Sequence, residues 1–443
     1  MEQKKSINLG FRGWMLVIYQ AIAFFTFTAF TNWPMNILAD MYGGSQTVST
    51  IYTVATLVCI VVQLILSRFI GKIKNVKLMS VILGAITLVL ALGIMYIPPA
   101  QQMLWQVCFA LITFFSVLYC TFTIGILVGQ WFPRRKGTVM GIATFAFPIA
   151  NGLIGAFAGM VFKFNPAINA VVPDVAGAFL PFFILCAVGL LIGAIFLKDY
   201  PEQCGAYRDN DKSLTPEVAR AMMETEIENK RTSVWTLGHT LGSRDFWFAT
   251  IPMGALLMCA VGMMTQTNSI LASFPELPFA GIMAMVMVVA CFGSWLLGVL
   301  DTKFGTKKAI LISVIVMIIG GAVGSINSAP TLVIALVCLS IFMGASSNFT
   351  VSCAAQYWRR EDFANVFACV NPIANILQAL GPMMVAILLA TKGYNMAFTV
   401  VAIIGVVSLL LILLFKPAHV KEVDDKYRSA AGKPLDDILV GRK

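Results

Sequence analysis

Twelve stretches of this chain run almost without charged side chains: 14–38, 46–70, 76–97, 102–130, 137–162, 177–198, 245–272, 278–299, 306–327, 330–357, 362–391 and 393–415. Each is long enough to cross a hydrocarbon core of roughly 30 Å as a helix. Lipid offers no partner to backbone N–H and C=O groups, so a spanning segment has to pair them internally. The pattern therefore predicts an all-α membrane protein with twelve transmembrane helices. Only 12% of the residues are charged, about half the ~25% of an ordinary soluble domain.

The connections are short except for 199–244, between spans six and seven. This divides the chain into a tail (1–13), a six-span half (14–198), a linker (199–244), a second six-span half (245–415) and a tail (416–443). The run from Trp14 is too long for the core of a signal peptide and has no small-residue cleavage site, so it is expected to remain as the first span. In the linker, Thr215 and Pro216 predict the N-cap and first turn of a helix.

With twelve spans both termini share a side. Of the 31 Lys and Arg residues, all but Lys163 and Lys392 fall on that side. The positive-inside rule makes it the cytoplasmic one, in a plasma membrane of bacterial type. The formal charge of +10 is thus topology rather than a nucleic-acid footprint, since no stacking aromatics accompany the basic runs. The ten cysteines form no CxxC or Cys/His cluster, which excludes a sequence-evident metal site. No GxxxxGK[ST] loop is present, so neither ATP-driven transport nor a cofactor is indicated. An enzyme would need convergent titratable groups, which the span interiors lack.

The chain also reads as doubled. "GQWFPRRKGTVMGIATFAFPIAN" (129–151) and "AQYWRREDFANVFACVNPIAN" (355–375) both run from Gln through two aromatics and an Arg pair to "PIAN". Each joins the fourth span of its half to the fifth. Two pseudo-symmetric six-helix halves are the plan of a duplicated transporter whose halves rock about a midplane site. Arg134, Arg135, Arg359 and Arg360 have two readings: anchors at headgroup level, or partners in ion pairs that hold an inner gate.

Span count, linker and duplication together resemble the major facilitator superfamily. The family's loop after the eighth span carries Gly, Asp, a basic residue, Gly and a basic pair. Here Gly298, Asp301, Lys303, Gly305, Lys307 and Lys308 resemble it, with one extra residue between Asp and Gly. The matching loop of the first half lacks the Asp. "FRGW", "WFPRRKGTVMGI", "YPEQCGAYRDND" and "LGPMM…TKGYNMAF" look like the oxalate/formate antiporter and monocarboxylate porter branch. That likeness implies a secondary transporter of a small organic acid, working by antiport or by symport with the proton carried on the substrate.

No Asp, Glu, His, Lys or Arg lies near the midplane of any span. A buried ionisable residue is the usual mark of a proton relay, and a dianion would find no countercharge in so apolar a site. Monoanions and neutral or zwitterionic solutes stay open, as does a non-transporting sensor on the same fold. The groups left to bind a solute are uncharged: Asn32, Tyr119, Asn151, Gln266, Asn268, Asn348, Asn371, Asn375 and Gln378. Each can equally bond a neighbouring helix. Expected partners are a small organic solute, the bilayer, and protons or a counter-solute; the chain is expected to be monomeric.

Overall fold

The structure is a computed structural model, and it describes residues 8–67, 75–132, 139, 142–165, 170–211, 213, 215, 217–218, 221, 233–359, 362–433 and 435. Twelve helices are long and apolar enough to cross a membrane. They are α1 (Gly10–Tyr42), α2 (Ser45–Leu66), α3 (Val76–Tyr96), α4 (Pro99–Trp131), α5 (Ile142–Val161), α6 (Val175–Phe196), α7 (Arg244–Thr265), α8 (Phe279–Asp301), α9 (Thr306–Gly324), α10 (Ala329–Tyr357), α11 (Phe363–Lys392) and α12 (Tyr394–Leu414). The buried apolar residues gather into two cores, one built chiefly from α1–α6 with Met283 of α8, the other from α7–α12 with Trp235 of the linker and Val420 of the tail.

The two halves touch where side chains are small. A Cβ on Gly152 of α5 would lie 2.2 Å from Met287 of α8, and one on Gly155 would lie 2.5 Å from the Ala280 backbone. Small residues let membrane helices approach closely enough for dispersion to hold them. Gly155→Leu is therefore expected to force α5 and α8 apart. Purified variant should elute as a broadened, aggregated species in size-exclusion chromatography; a sharp wild-type peak would show that this crossing yields easily.

The duplication has a physical counterpart. Lys77 and Lys307 each occupy the second position of their helix, α3 and α9. Lys77 Nζ donates to Ala194 O of α6 at 2.7 Å, and Lys307 Nζ donates to Phe415 O, just past α12, at 2.6 Å. Each half thus ties its third helix to a carbonyl at the end of its sixth, where a cation is favoured by the helix dipole. The aromatics after the repeated Gln serve the same ends. Trp131 Nε1 donates to Lys198 O at 2.9 Å, and the Tyr357 ring packs edge-on to Phe415 at 5.1 Å.

The two prolines of the repeated "PIAN" behave differently. Proline removes one backbone donor and crowds the preceding turn. In α5 the helix breaks into a turn at Phe145, three residues before Pro148. In α11 it runs unbroken through both Pro372 and Pro382. The spans also contain segments that the sequence does not announce. Thr28–Asn32 and Pro34–Leu38 of α1 and Leu118–Thr123 of α4 widen to i→i+5 pairing, a feature concentrated at functional positions.

Two further elements extend the all-helical reading. Between α5 and α6, β1 (Phe162–Asn165) and β2 (Ala170–Pro173) pair antiparallel. Lys163 bonds Asp174 at 2.9 Å and, with the Gly177 N–H, holds its carboxyl below the ordinary value. The tail after α12 contains a helix, α13 (Pro417–Ala430), which docks on the terminus-bearing end of the second half. In the linker, Val218 N–H donates to Thr215 Oγ1 at 3.4 Å, as an N-cap would require; most of the expected helix lies outside the described residues.

Candidate functional site

On the face opposite the termini the halves are joined by amides and hydroxyls. Asn36 of α1 donates through Nδ2 to Met264 O of α7 at 3.2 Å. Asn268, just past α7, returns Nδ2 to Asn36 O at 3.1 Å and its N–H to Asn36 Oδ1 at 3.4 Å. Gln266 accepts from Ser45 Oγ and donates to Ser49 Oγ of α2 at 2.8 Å. Gln266 is 1% exposed, so these bonds lie inside the closed seam. Lower down, Thr53 Oγ1 of α2 donates to Ala379 O of α11 at 2.7 Å.

Gln266 and Asn268 thus stand in a clamp between the halves. Asn36, Ser45, Ser49 and Thr53 complete it, and the sequence reading missed them. Asn36 lies four residues from Asn32, hence on the same face, and that spacing was the available signal. Gln266→Ala removes two neutral hydrogen bonds, each worth about 0.5–1.5 kcal/mol. The state open on this face should gain roughly tenfold in population. A cysteine placed at Met264 would then react faster with a hydrophilic thiol reagent applied from that face; unchanged reactivity would show that the clamp does not set the closed state.

Below the clamp the seam loosens along α11. Ala379 is fully buried, but Asn375 and Asn371, four and eight residues earlier on the same row, are half-buried, as is Gln378 beside them. None of the three amides makes a hydrogen bond among the described residues. An amide in a membrane helix normally finds a partner, and each carries two donors and an acceptor. Asn348 of α10 bonds Thr144 of α5 in both directions, Nδ2 to Oγ1 at 3.1 Å and Oγ1 to Oδ1 at 3.3 Å. Two cross-half contacts, Thr53–Ala379 and Thr144–Asn348, thus accompany the open amides.

The other candidates are placed elsewhere. Asn151 is 1% exposed and donates to Phe147 O of its own helix at 2.9 Å. Asn32 is 1% exposed; Thr31 Oγ1 donates to its Oδ1 at 3.3 Å, and its carbonyl accepts from Asn36. Tyr119 packs inside the first half, its ring against Gly84 of α3 and 5.8 Å from the Tyr19 ring. Tyr19 in turn bonds Ser80 at 2.9 Å, which accepts from Thr123 at 3.0 Å.

At the terminus-bearing end, the loop after α8 is fastened within its own half. Gly305 adopts φ 88°, which favours glycine. Thr306 Oγ1 donates to Asp301 Oδ1 at 2.6 Å, Thr306 N–H to Gln356 Oε1 at 2.7 Å, and Lys307 N–H to Tyr357 OH at 2.8 Å. Lys308 lies 5.9 Å from the Phe304 ring centre; Gly298 and Lys303 are exposed. Arg134, Arg135 and Arg360 lie outside the described residues. Arg359 pairs with the tail helix: its Nε reaches Asp424 Oδ2 at 2.6 Å and its Nη2 reaches Asp425 at 3.2 Å. Arg428 bonds Asp424 at 3.2 Å and Asp362 at 2.7 Å. Ser233 and Trp235, at the end of the linker, donate to Asp362 and Asp424 at 2.6 and 2.9 Å. His419 and the Lys416 N–H both meet Asp245 at the start of α7.

Across families, the Major Facilitator Superfamily matches residues 15–300 and 269–440. No curated protein matches significantly. Among solved structures, the xylose transporter XylE from E. coli, in a partially occluded inward-open conformation, is similar at 13% identity and TM-score 0.66, over 90% of this chain and 96% of that one. A bacterial homolog of the human lysosomal transporter Spinster, inward-facing and unoccupied, is similar at 15% identity and TM-score 0.58, over 96% of this chain and 98% of that one. At such identities the likeness concerns the fold.

Proposed function

We propose a transport cycle from one premise: this chain belongs to the Major Facilitator Superfamily. It is a multi-pass membrane transporter rather than an enzyme, and its cargo is a small molecule. The solute we propose is a small organic compound with one hydrogen-bonding head, a monocarboxylate by the likeness of its motifs to the organic-acid branch. The observation that carries this reading is the row of open amides, Asn371, Asn375 and Gln378, on the face of α11 whose Ala379 carbonyl meets the other half. Amide N–H groups can hold a carboxylate monoanion, and amide oxygens can accept from a hydroxyl.

A neutral or zwitterionic solute is the second reading. It is favoured by the absence of any charged side chain in the middle of the spans, because an anion there is stabilised by dipoles alone. In either case alternating access comes from breaking the Asn36–Gln266–Asn268 clamp on one face or the Thr144–Asn348 pair on the other. Coupling, if by protons, rides on the substrate.

Proteoliposome flux tests this. Radiolabelled monocarboxylates, sugars and amino acids should be offered with and without a preloaded unlabelled counter-solute and a pH gradient. Saturable uptake of one class, competed by its own members, is expected. Acceleration by internal counter-solute would identify exchange. Absence of flux for the whole panel would sink the reading.

A further inference from the structure

The tail helix α13 does more than cover the protein's end. Asp362 occupies the N-cap position of α11, yet its side chain makes no capping bond to that helix. The carboxylate is fully buried and turns instead to Arg428 of α13, Nη2 to Oδ2 at 2.7 Å, and to Ser233 of the linker at 2.6 Å. Arg428, itself 3% exposed, is held in turn by Asp424 one helical turn earlier, at 3.2 Å. Asp424 also binds Arg359, which ends the α10 side of the same turn, and Trp235. Four buried charges of alternating sign therefore fasten both ends of the α10–α11 turn to one helix that arrives from the end of the chain.

This turn leads into one continuous helix. From Asp362, α11 runs unbroken to Lys392, and Asn371 lies nine residues on, about 13 Å along the axis at 1.5 Å per residue. A helix pinned at its first residue has its rotation and depth set there. We propose that Arg428 and Asp424 are positioning residues for the open amide face of α11: the tail helix fixes the azimuth at which Asn371, Asn375 and Gln378 meet a solute. The proposal rests on the reading of that face as the solute site.

Guanidinium planes suit this task because they bond carboxylates in a fixed fork and keep their charge when buried. A buried ion pair replaced by apolar groups of like volume often keeps its stability, whereas removing one partner strands the other. That difference supplies the test. Arg428→Met alone strands Asp362 and should melt early. The pair Arg428→Met with Asp362→Asn removes charge from both sides and should recover most of the melting temperature, yet it leaves the start of α11 unpinned.

The readout is Cys369, seven residues past Asp362, on the same face, and 5% exposed. N-ethylmaleimide alkylation of the purified full chain, resolved by mass spectrometry, is expected to rise at least tenfold at Cys369 in the paired variant. Cys59 and Cys259, fully buried in α2 and α7, should stay unreactive, which excludes general loosening. In flux assays the same variant should show a raised half-saturation constant with little change in maximal rate. Unchanged alkylation of Cys369 overturns the positioning role, whatever the flux. Faster alkylation with unaltered half-saturation upholds the fastening and overturns the amide face as the solute site.

Discussion

Asp424→Ala should lower the stability of the folded protein by about 3–5 kcal/mol, the range found when one member of a buried ionic group is removed. The side chain is 8% exposed and accepts three bonds, from Arg359 Nε at 2.6 Å, Arg428 Nε at 3.2 Å and Trp235 Nε1 at 2.9 Å. Alanine leaves two guanidinium groups sharing Asp362 and Asp425. Asp425 is itself 36% exposed and offers the weaker support of a solvated partner. The indole N–H of a fully buried tryptophan also loses its acceptor. In detergent the apparent melting temperature should fall by roughly 10 °C, scaling from 2–4 °C per kcal/mol for a core of this size. Asp424→Asn keeps an acceptor for Trp235 without the charge and should fall between. A shift within 2 °C for the alanine variant would mean that α13 is fastened by its apolar contacts, Val420 and Tyr427, rather than by its charges.

The second large effect concerns transport rather than stability. Asn371→Ala together with Asn375→Ala should lower the ratio of maximal rate to half-saturation constant by roughly ten- to a hundredfold, taking about 0.5–1.5 kcal/mol for each neutral hydrogen bond lost to the solute. The melting temperature should barely move, because neither amide bonds another described part of the protein. That combination separates a binding role from a packing one. Asn151→Ala should do the reverse. Its amide serves the Phe147 carbonyl beside the break in α5, so its loss should act on stability first. Equal transport loss in both variants would remove the distinction drawn between the two copies of "PIAN".

Those copies also mark where sequence reasoning reaches and where it stops. Twelve spans were legible because hydrocarbon imposes length and apolarity on every one of them. The duplication was legible because Gln130 and Gln356 each open the same run of two aromatics and an Arg pair that leads to "PIAN". The same four letters could not say that Asn151 bonds its own helix while Asn375 bonds none of the described residues, because the difference lies in what surrounds them. Asn36 was missed because its partners Met264 and Asn268 are more than 220 residues away. The tail helix was missed for a related reason. Lys421, Glu422, Asp424, Asp425 and Arg428 look like a solvated run, and their buried partners sit some 65 residues back in "WRRED". Only Val420, Asp424 and Arg428, spaced by four, showed that one face of this polar helix could be covered.

The clamp on the face opposite the termini is made of amides and hydroxyls, with no charge among Asn36, Ser45, Ser49, Gln266 and Asn268. Hydrogen bonds between neutral groups do not weaken with ionic strength, whereas bonds between accessible charges do. The milieu on that side can become more saline or more acidic without shifting how firmly the halves are drawn together there. At the other end the tail helix is held by ion pairs. The seam between the halves on that face is thus closed by contacts indifferent to salt, while the fastening of the tail helix uses charges.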